Sequence, residues 1–311
     1  MPDALPLRYA YLGPQGTFTE AALRSLPEAD AAECQPCGSI GAALDAVRQG
    51  DADGAVVPIE NSVEGAVPVT LDALFTGDPL MITREMHVQV EFSLLAREGL
   101  ELAGVRRVAT HPHAEAQCRR WLEAHLPDAE VVLEASTAHA AAMVARPDSP
   151  YDAAVSAPIA AQTYGLATLA TGIADRAGAV TRFVLVSRPG PPQPPTGADK
   201  TSLVVFIHEN RPGALLALLE QFAVRGIDLT WIESRPTGSA LGKYCFAIDA
   251  EGHVEDARMG EALMGLRRTS DEVRFLGSFP RADRVVASIL PGTSDSDFTD
   301  AAGWLTGLRM P

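Results

Sequence analysis

Between Arg188 and Gly197 the chain carries five prolines. Each proline fixes its own φ, removes a backbone donor and pushes the residue before it out of helical space. Neither a helix nor an inner strand runs through such a stretch. It reads as a stiff, extended linker over 189–200, and it divides the 311 residues into two folding parts. The first part is 1–188 and the second 201–281. Residues 282–311 are rich in Asp, Ser and Gly, show no hydrophobic period, and are expected to form a disordered tail.

In the first part, strand-length apolar runs alternate with stretches of helical period. Residues 8–12, 54–59, 105–110, 130–135, 152–156 and 183–186 read as strands, and 81–95 as a long extended stretch. Helices open at Thr17 with Glu20 three residues on, at Ser39, at His113, at Ser136 or Thr137, and at Pro158. Such alternation predicts parallel sheet. The length suffices for two small α/β lobes, with the chain visiting one, then the other, then returning, and a cleft between them. Beyond the linker the order is βαββαβ: strands at 202–208, 228–236, 243–249 and 273–279, helices at 213–225 and 254–268, and a turn at Thr237 to Ser239. That order predicts a ferredoxin-like unit.

The net charge of −15 argues against nucleic acid or an anionic membrane surface as a partner. No apolar run is long enough to span a bilayer. Met1 to Ala4 has no basic or apolar region of a signal peptide, so the chain is expected to be cytoplasmic. Cys34 and Cys37 form the single CxxC; with no second ligand pair they are expected to be reduced bystanders in a loop, and Cys118 and Cys245 small buried hydrophobes. There is no GxGxxG after a strand, no GxxxxGK[ST] and no GxSxG, and no metal site is expected.

Polar residues gather where strands end. They are Gln15-Gly16-Thr17, Glu60-Asn61-Ser62, Thr110-His111-Pro112-His113, Ser136-Thr137 and Thr181-Arg182. Several precede helix starts, where free N–H groups and the helix dipole favour anions. Five such clusters in one part point to an anion-binding cleft. Thr181 and Arg182 stand at the mouth of a buried strand, where open α/β sheets bind ligands. In the second part, Asn210-Arg211-Pro212-Gly213-Ala214-Leu215 leaves a bare helix start suited to a carboxylate, and Glu233-Ser234-Arg235-Pro236 ends the next strand.

Five stretches together resemble the prephenate dehydratase family: Tyr11-Leu-Gly-Pro-Gln-Gly-Thr-Phe18, Val57-Pro-Ile-Glu-Asn-Ser62, Thr110-His-Pro-His-Ala-Glu-Ala-Gln-Cys118, Thr181-Arg-Phe183 and Glu233-Ser-Arg-Pro236. The resemblance runs from about residue 8 to 280. It implies a two-lobed catalytic domain of the type 2 periplasmic-binding-protein kind, followed by an ACT domain that binds phenylalanine. The implied reaction converts prephenate to phenylpyruvate with loss of carbon dioxide and water. Gained aromaticity drives it, so no cofactor is expected.

By the same resemblance Thr181, Glu60, Asn61 and Gln117 are the expected catalytic residues, and Thr17, Ser62, Thr110, His111, Arg182 and Phe183 the expected substrate contacts. Glu60 would be an acid or an orienting group. Arg182 is the natural carboxylate partner, or it points away from the cleft. His208, Asn210, Pro212, Gly213, Ala214 and Leu215, with Glu233, Ser234 and Arg235, would hold phenylalanine. A homodimer through ACT domains or a homotetramer is implied. Arogenate dehydratase and a non-catalytic amino-acid sensor are the competing functions.

Overall fold

The computed structural model describes residues 6–237 and 244–310. The expected turn after Thr237 and the strand start at Lys243 lie outside them, as do Met1 to Ala4. The chain forms two compact units: Met1–Thr70 with Met86–Val184, and Leu71–Glu85 with Leu185–Pro311.

The first unit opens with β1 (Arg8–Leu12), α1 (Phe18–Arg24), β2 (Glu33–Cys37), α2 (Ile40–Gln49), β3 (Gly54–Asn61) and the short β4 (Gly65–Ala66). Helix α3 (Pro68–Phe75) and strand β5 (Met81–Gln89) follow. Helix α2 shows why these elements form. The Ser39 hydroxyl accepts the Ala42 N–H, Gly50 ends the helix at φ +82°, and Ile40, Ala43, Leu44 and Val47 make one buried stripe. The chain then builds β6 (Ser93–Ala96), β7 (Arg107–Thr110), α4 (Pro112–His125), β8 (Glu130–Leu133), α5 (Thr137–Ala145), β9 (Ala153–Ser156), α6 (Ile159–Tyr164) and β10 (Ala167–Ala170). Strand β11 (Val180–Ser187) returns to the first sheet.

The two sheets have the orders β2-β1-β3-β11-β5, with β4 on β3, and β10-β6-β9-β7-β8. The expected parallel pairing holds for β1 with β3, and for β7 with β8 and β9; β1 also pairs in parallel with β2, where no strand was expected. It fails at β6, which runs antiparallel to both β9 and β10. Val90 to Phe92 carries the chain from β5 in the first sheet to β6 in the second.

The second unit holds β12 (Asp199–Phe206), α7 (Ala214–Ala223), β13 (Leu229–Pro236), β14 (Tyr244–Glu251), α8 (Ala257–Thr269) and β15 (Glu272–Pro280). All its sheet pairings are antiparallel, in the order β13-β14-β12-β15. Leu203, Val205 and Ile248 pack under Phe222 of α7 and Leu266 of α8, which puts both helices on one face. The tail is not disordered: α9 (Asp295–Arg309) ends the chain. The Asp and Ser residues that suggested disorder are its start signal. Ser294 and Asp297 form a reciprocal capping box, and Arg309 sits in the last turn.

The CxxC lies on edge strand β2 and not in a loop. Pro36 is tolerated there because an edge strand leaves one side unpaired. Residues three apart on a strand face opposite ways, with Cα atoms about 10 Å apart, beyond the ~7 Å limit for a disulfide. All four cysteines are free, and burial pushes both CxxC thiols up, away from the thiolate. Mild oxidation of the folded protein should therefore leave Cys34 and Cys37 unbridged. Thiol titration under non-reducing conditions checks this; an internal Cys34–Cys37 bridge would contradict the strand geometry.

Candidate active site

Strands β3 and β11 are neighbours, and their adjacent ends carry the central pair. The Asn61 side-chain oxygen accepts the N–H groups of Val63 (2.9 Å) and Glu64 (3.2 Å). Those two donors fix which way the amide faces, so its nitrogen points at Thr181 and donates to Oγ1 at 2.8 Å. With one lone pair taken, the Thr181 proton is left to be given elsewhere. Ser62 registers the strand: its hydroxyl accepts the Val180 N–H and its own N–H donates to the Val180 carbonyl.

Asn61 and Thr181 open onto a cavity of about 260 Å³. Phe18, Val90 and Phe92 form an apolar wall, the two rings meeting edge to face at 5.5 Å. Opposite stand the starts of α4 and α5. His111 caps α4 and accepts the His113 N–H on Nδ1, which puts the neutral ring's proton on Nε2. Burial, then neighbouring His113, holds the His111 pKa below its ordinary value. Ser136 caps α5 by accepting the His139 N–H. Gln117, one turn into α4, completes this side. At the rim Glu64 pairs with His113.

The cavity thus gathers Thr181, Asn61, Gln117 and His111 among the expected residues. The others stand elsewhere, and strand alternation explains two of them. Glu60 and Arg182 precede and follow the central pair, so they face the other side of the sheet. There the Arg182 Nη1 lies 3.7 Å from the Glu60 carboxylate, with the Arg182 side chain only 6% exposed. Thr17 is spent capping α1, bonded to the Leu12 carbonyl and the Glu20 N–H. The reciprocal bond of that cap is shifted by one residue, since Glu20 takes the Gly16 N–H. Thr110 is fully buried and donates to the Val155 carbonyl. Phe183 is a core residue.

Glu64, Phe18, Phe92, His113, Ser136 and Thr137 were not among the expected contacts. Phe18, Ser136 and Thr137 were visible as motif residues, but Glu64 and Phe92 carry no sequence signal. In the second unit, His208 and Ala214 share a cavity of about 500 Å³ with Arg211, Arg268 and Asp271, and His208 pairs with Asp271. Gly213 caps α7 at φ +84° with no side chain of its own. Asn210, Pro212 and Leu215 are exposed beside it. Glu233 and Arg235 share one face of β13 and Ser234 the other, and Arg235 forms a bidentate pair with Asp72.

Residues 9–191 match the family model for prephenate dehydratase. The chain belongs to the prephenate dehydratase family. It is 51% identical over 303 residues to a prephenate dehydratase of Amycolatopsis methanolica, spanning 97% of this chain and 98% of that one. A prephenate dehydratase of Arthrobacter aurescens, solved in complex with L-Phe, superposes with a TM-score of 0.92 at 52% identity, covering 98% of this chain and all of that one. A protein described as a novel type of quorum quenching acylase shares the fold at TM-score 0.79 and 33% identity over 88% of this chain and 97% of its own. Membership in the family makes the chain a lyase. Among the described residues no helix is long and apolar enough to cross a membrane.

The depressed His111 pKa has a consequence for stability. As pH falls through the ordinary histidine value, about 6.5, the unfolded chain takes the proton before the folded one. The unfolded state then binds more protons, so stability falls with pH in that window and is kept above it. His111→Asn keeps a capping acceptor and removes the titration. Its urea midpoint should fall less than wild type's between neutral and mildly acid pH; parallel curves would refute the assignment.

Proposed function

We propose that this chain converts prephenate to phenylpyruvate, and that the Asn61–Thr181 pair assists departure of the C4 hydroxyl. The C1–carboxylate bond breaks, its electron pair enters the ring as carbon dioxide leaves, and the C4–O bond breaks with its pair on oxygen. That oxygen needs a proton or a strong donor as it departs. Thr181 is a weak acid, so its part is a hydrogen bond that strengthens as charge develops. Asn61 fills one lone pair of the Thr181 hydroxyl and leaves the proton for the substrate. This oriented hydroxyl is the observation that carries the reading.

A net acidic chain must bind a dianion through local donors. The starts of α4 and α5 supply backbone N–H groups, with His111 Nε2 and Gln117 beside them. The Phe18–Phe92 wall suits the ring and lies where a carboxylate losing its charge gains from leaving water. Glu60 and Arg182 fit a supporting role behind β3 and β11.

Residues 1–188 are proposed as the catalytic domain, two-lobed in the manner of type 2 periplasmic binding proteins, because β11 returns to the first sheet after the second is complete. Residues 201–281 are proposed as a ferredoxin-like ACT domain, with dimerisation or tetramerisation through it. Phenylalanine is proposed to inhibit there, its carboxylate met by first-turn N–H groups of α7 beyond Ala214, whose own N–H donates to the Arg211 carbonyl. Four free thiols fit a reducing compartment, hence the cytoplasm.

Thr181→Val should lower kcat by about 10²–10³ and leave KM within a few-fold. Asn61→Asp keeps the acceptor for Val63 and Glu64 but turns the Thr181 proton toward itself, so kcat should fall on a comparable scale with folding intact. Phenylpyruvate formation measures both, and a Thr181→Val enzyme near wild-type rate would remove the role. Gly213→Val should abolish phenylalanine inhibition and spare kcat, because a β-branched residue resists a positive φ. Unchanged inhibition would move the effector site elsewhere.

A further inference from the structure

We infer that Asp175 is a positioning residue for the dehydratase reaction, acting through Gln117. The inference rests on the reading of Gln117 as a group that touches substrate. Asp175 lies in the crossover from β10 to β11, six residues before Thr181. Its two carboxylate oxygens accept the N–H groups of Trp121 and Arg120, each at 3.1 Å. Its own N–H donates to the Gln117 carbonyl at 2.7 Å. One residue of the crossover thus grips α4 at the Gln117 carbonyl and at the amides one turn later.

The grip matters because, among the described residues, no hydrogen bond holds the Gln117 side chain. Its side chain lines the active cavity and also an adjoining one of about 370 Å³, so it is open on two sides. Its direction is set from the backbone, and the carbonyl that Asp175 holds shares a Cα with that side chain. The same crossover is anchored to the rest of the cavity. The Ile173 N–H donates to the Phe92 carbonyl at 3.1 Å, and the Val90 N–H to the Ala179 carbonyl at 2.7 Å. The Val180 N–H then meets Ser62 at 3.0 Å, immediately before Thr181. Asp175 therefore fixes the spacing between the donor on α4 and the hydroxyl on β11.

A carboxylate is the group this position needs. It offers two acceptors, and a charged acceptor bonds amides more strongly than a neutral one. Asparagine would keep one acceptor and set an N–H against a backbone N–H.

The test is a double-mutant cycle read as kcat and KM for prephenate, using the full chain. Gln117→Ala is expected to lower kcat. Asp175→Ala in the wild-type background is expected to lower kcat by up to about 10²-fold, the scale of a misplaced catalytic group, with KM within a few-fold. Asp175→Asn should fall between the two. In the Gln117→Ala background, Asp175→Ala should cost little more, because the group it positions is gone. Equal fold losses in both backgrounds, or no loss from Asp175→Ala, would overturn the inference and leave Gln117's role standing. A Gln117→Ala enzyme with unchanged kcat would remove the reading of Gln117 and this inference with it. If Asp175→Ala does not fold, Asp175→Asn runs the same cycle with the same deciding comparison.

Discussion

The hydrogen bond from Asn61 to Thr181 joins residues 120 positions apart. Every other part of the site is arranged around it. The turn after β3 orients the amide, Ser62 sets the register of β11, and the crossover delivers Thr181 to the end of the neighbouring strand. A hydroxyl is a poor acid in water. Held by one donor and facing a cavity with two phenylalanines on one wall, it becomes a directed donor.

The same strands show how one register serves two purposes. Asn61 and Thr181 face the cavity, while Glu60 and Arg182, one residue away on each strand, face the other side and pair there. A carboxylate beside a bound dianion would repel it, and a buried guanidinium with no partner would be costly. Alternation puts each charge next to the other and leaves the cavity to neutral donors and helix starts. Among the described residues only Glu64 brings a carboxylate to the rim, and His113 is paired with it.

Local signals were legible in the sequence, and distant contacts were not. Ser39, Gly50 and Ser136 marked helix ends because capping is a property of a few consecutive residues. The βαββαβ order was readable for the same reason. What failed was facing. Glu60 was expected in the cleft, and Arg182 either in it or pointing away, because motif proximity does not say which side of a strand a residue takes. Thr17 and Thr110 were expected at the substrate because a hydroxyl's partner, such as the Val155 carbonyl, is fixed only by the packed sheet. The tail was misread because its capping box uses the residue types that also mark disorder. Phe92 and Glu64 were missed because nothing local distinguishes them.

Strand β11 lies between β3 and β5, both of which are made roughly a hundred residues earlier. The first sheet is therefore split down its middle for as long as the chain has not reached Ser187. Until then β3 and β5 each present an unpaired inner edge, and the Thr181 hydroxyl is not yet beside Asn61. Closure entropy for so long a loop must be met before the pairing rewards it. On the ribosome the second sheet, β6 to β10, is complete first. The first sheet thus gains the strand that joins β3 to β5 and the hydroxyl that meets Asn61 in a single event, so a chain that stops short of β11 has neither.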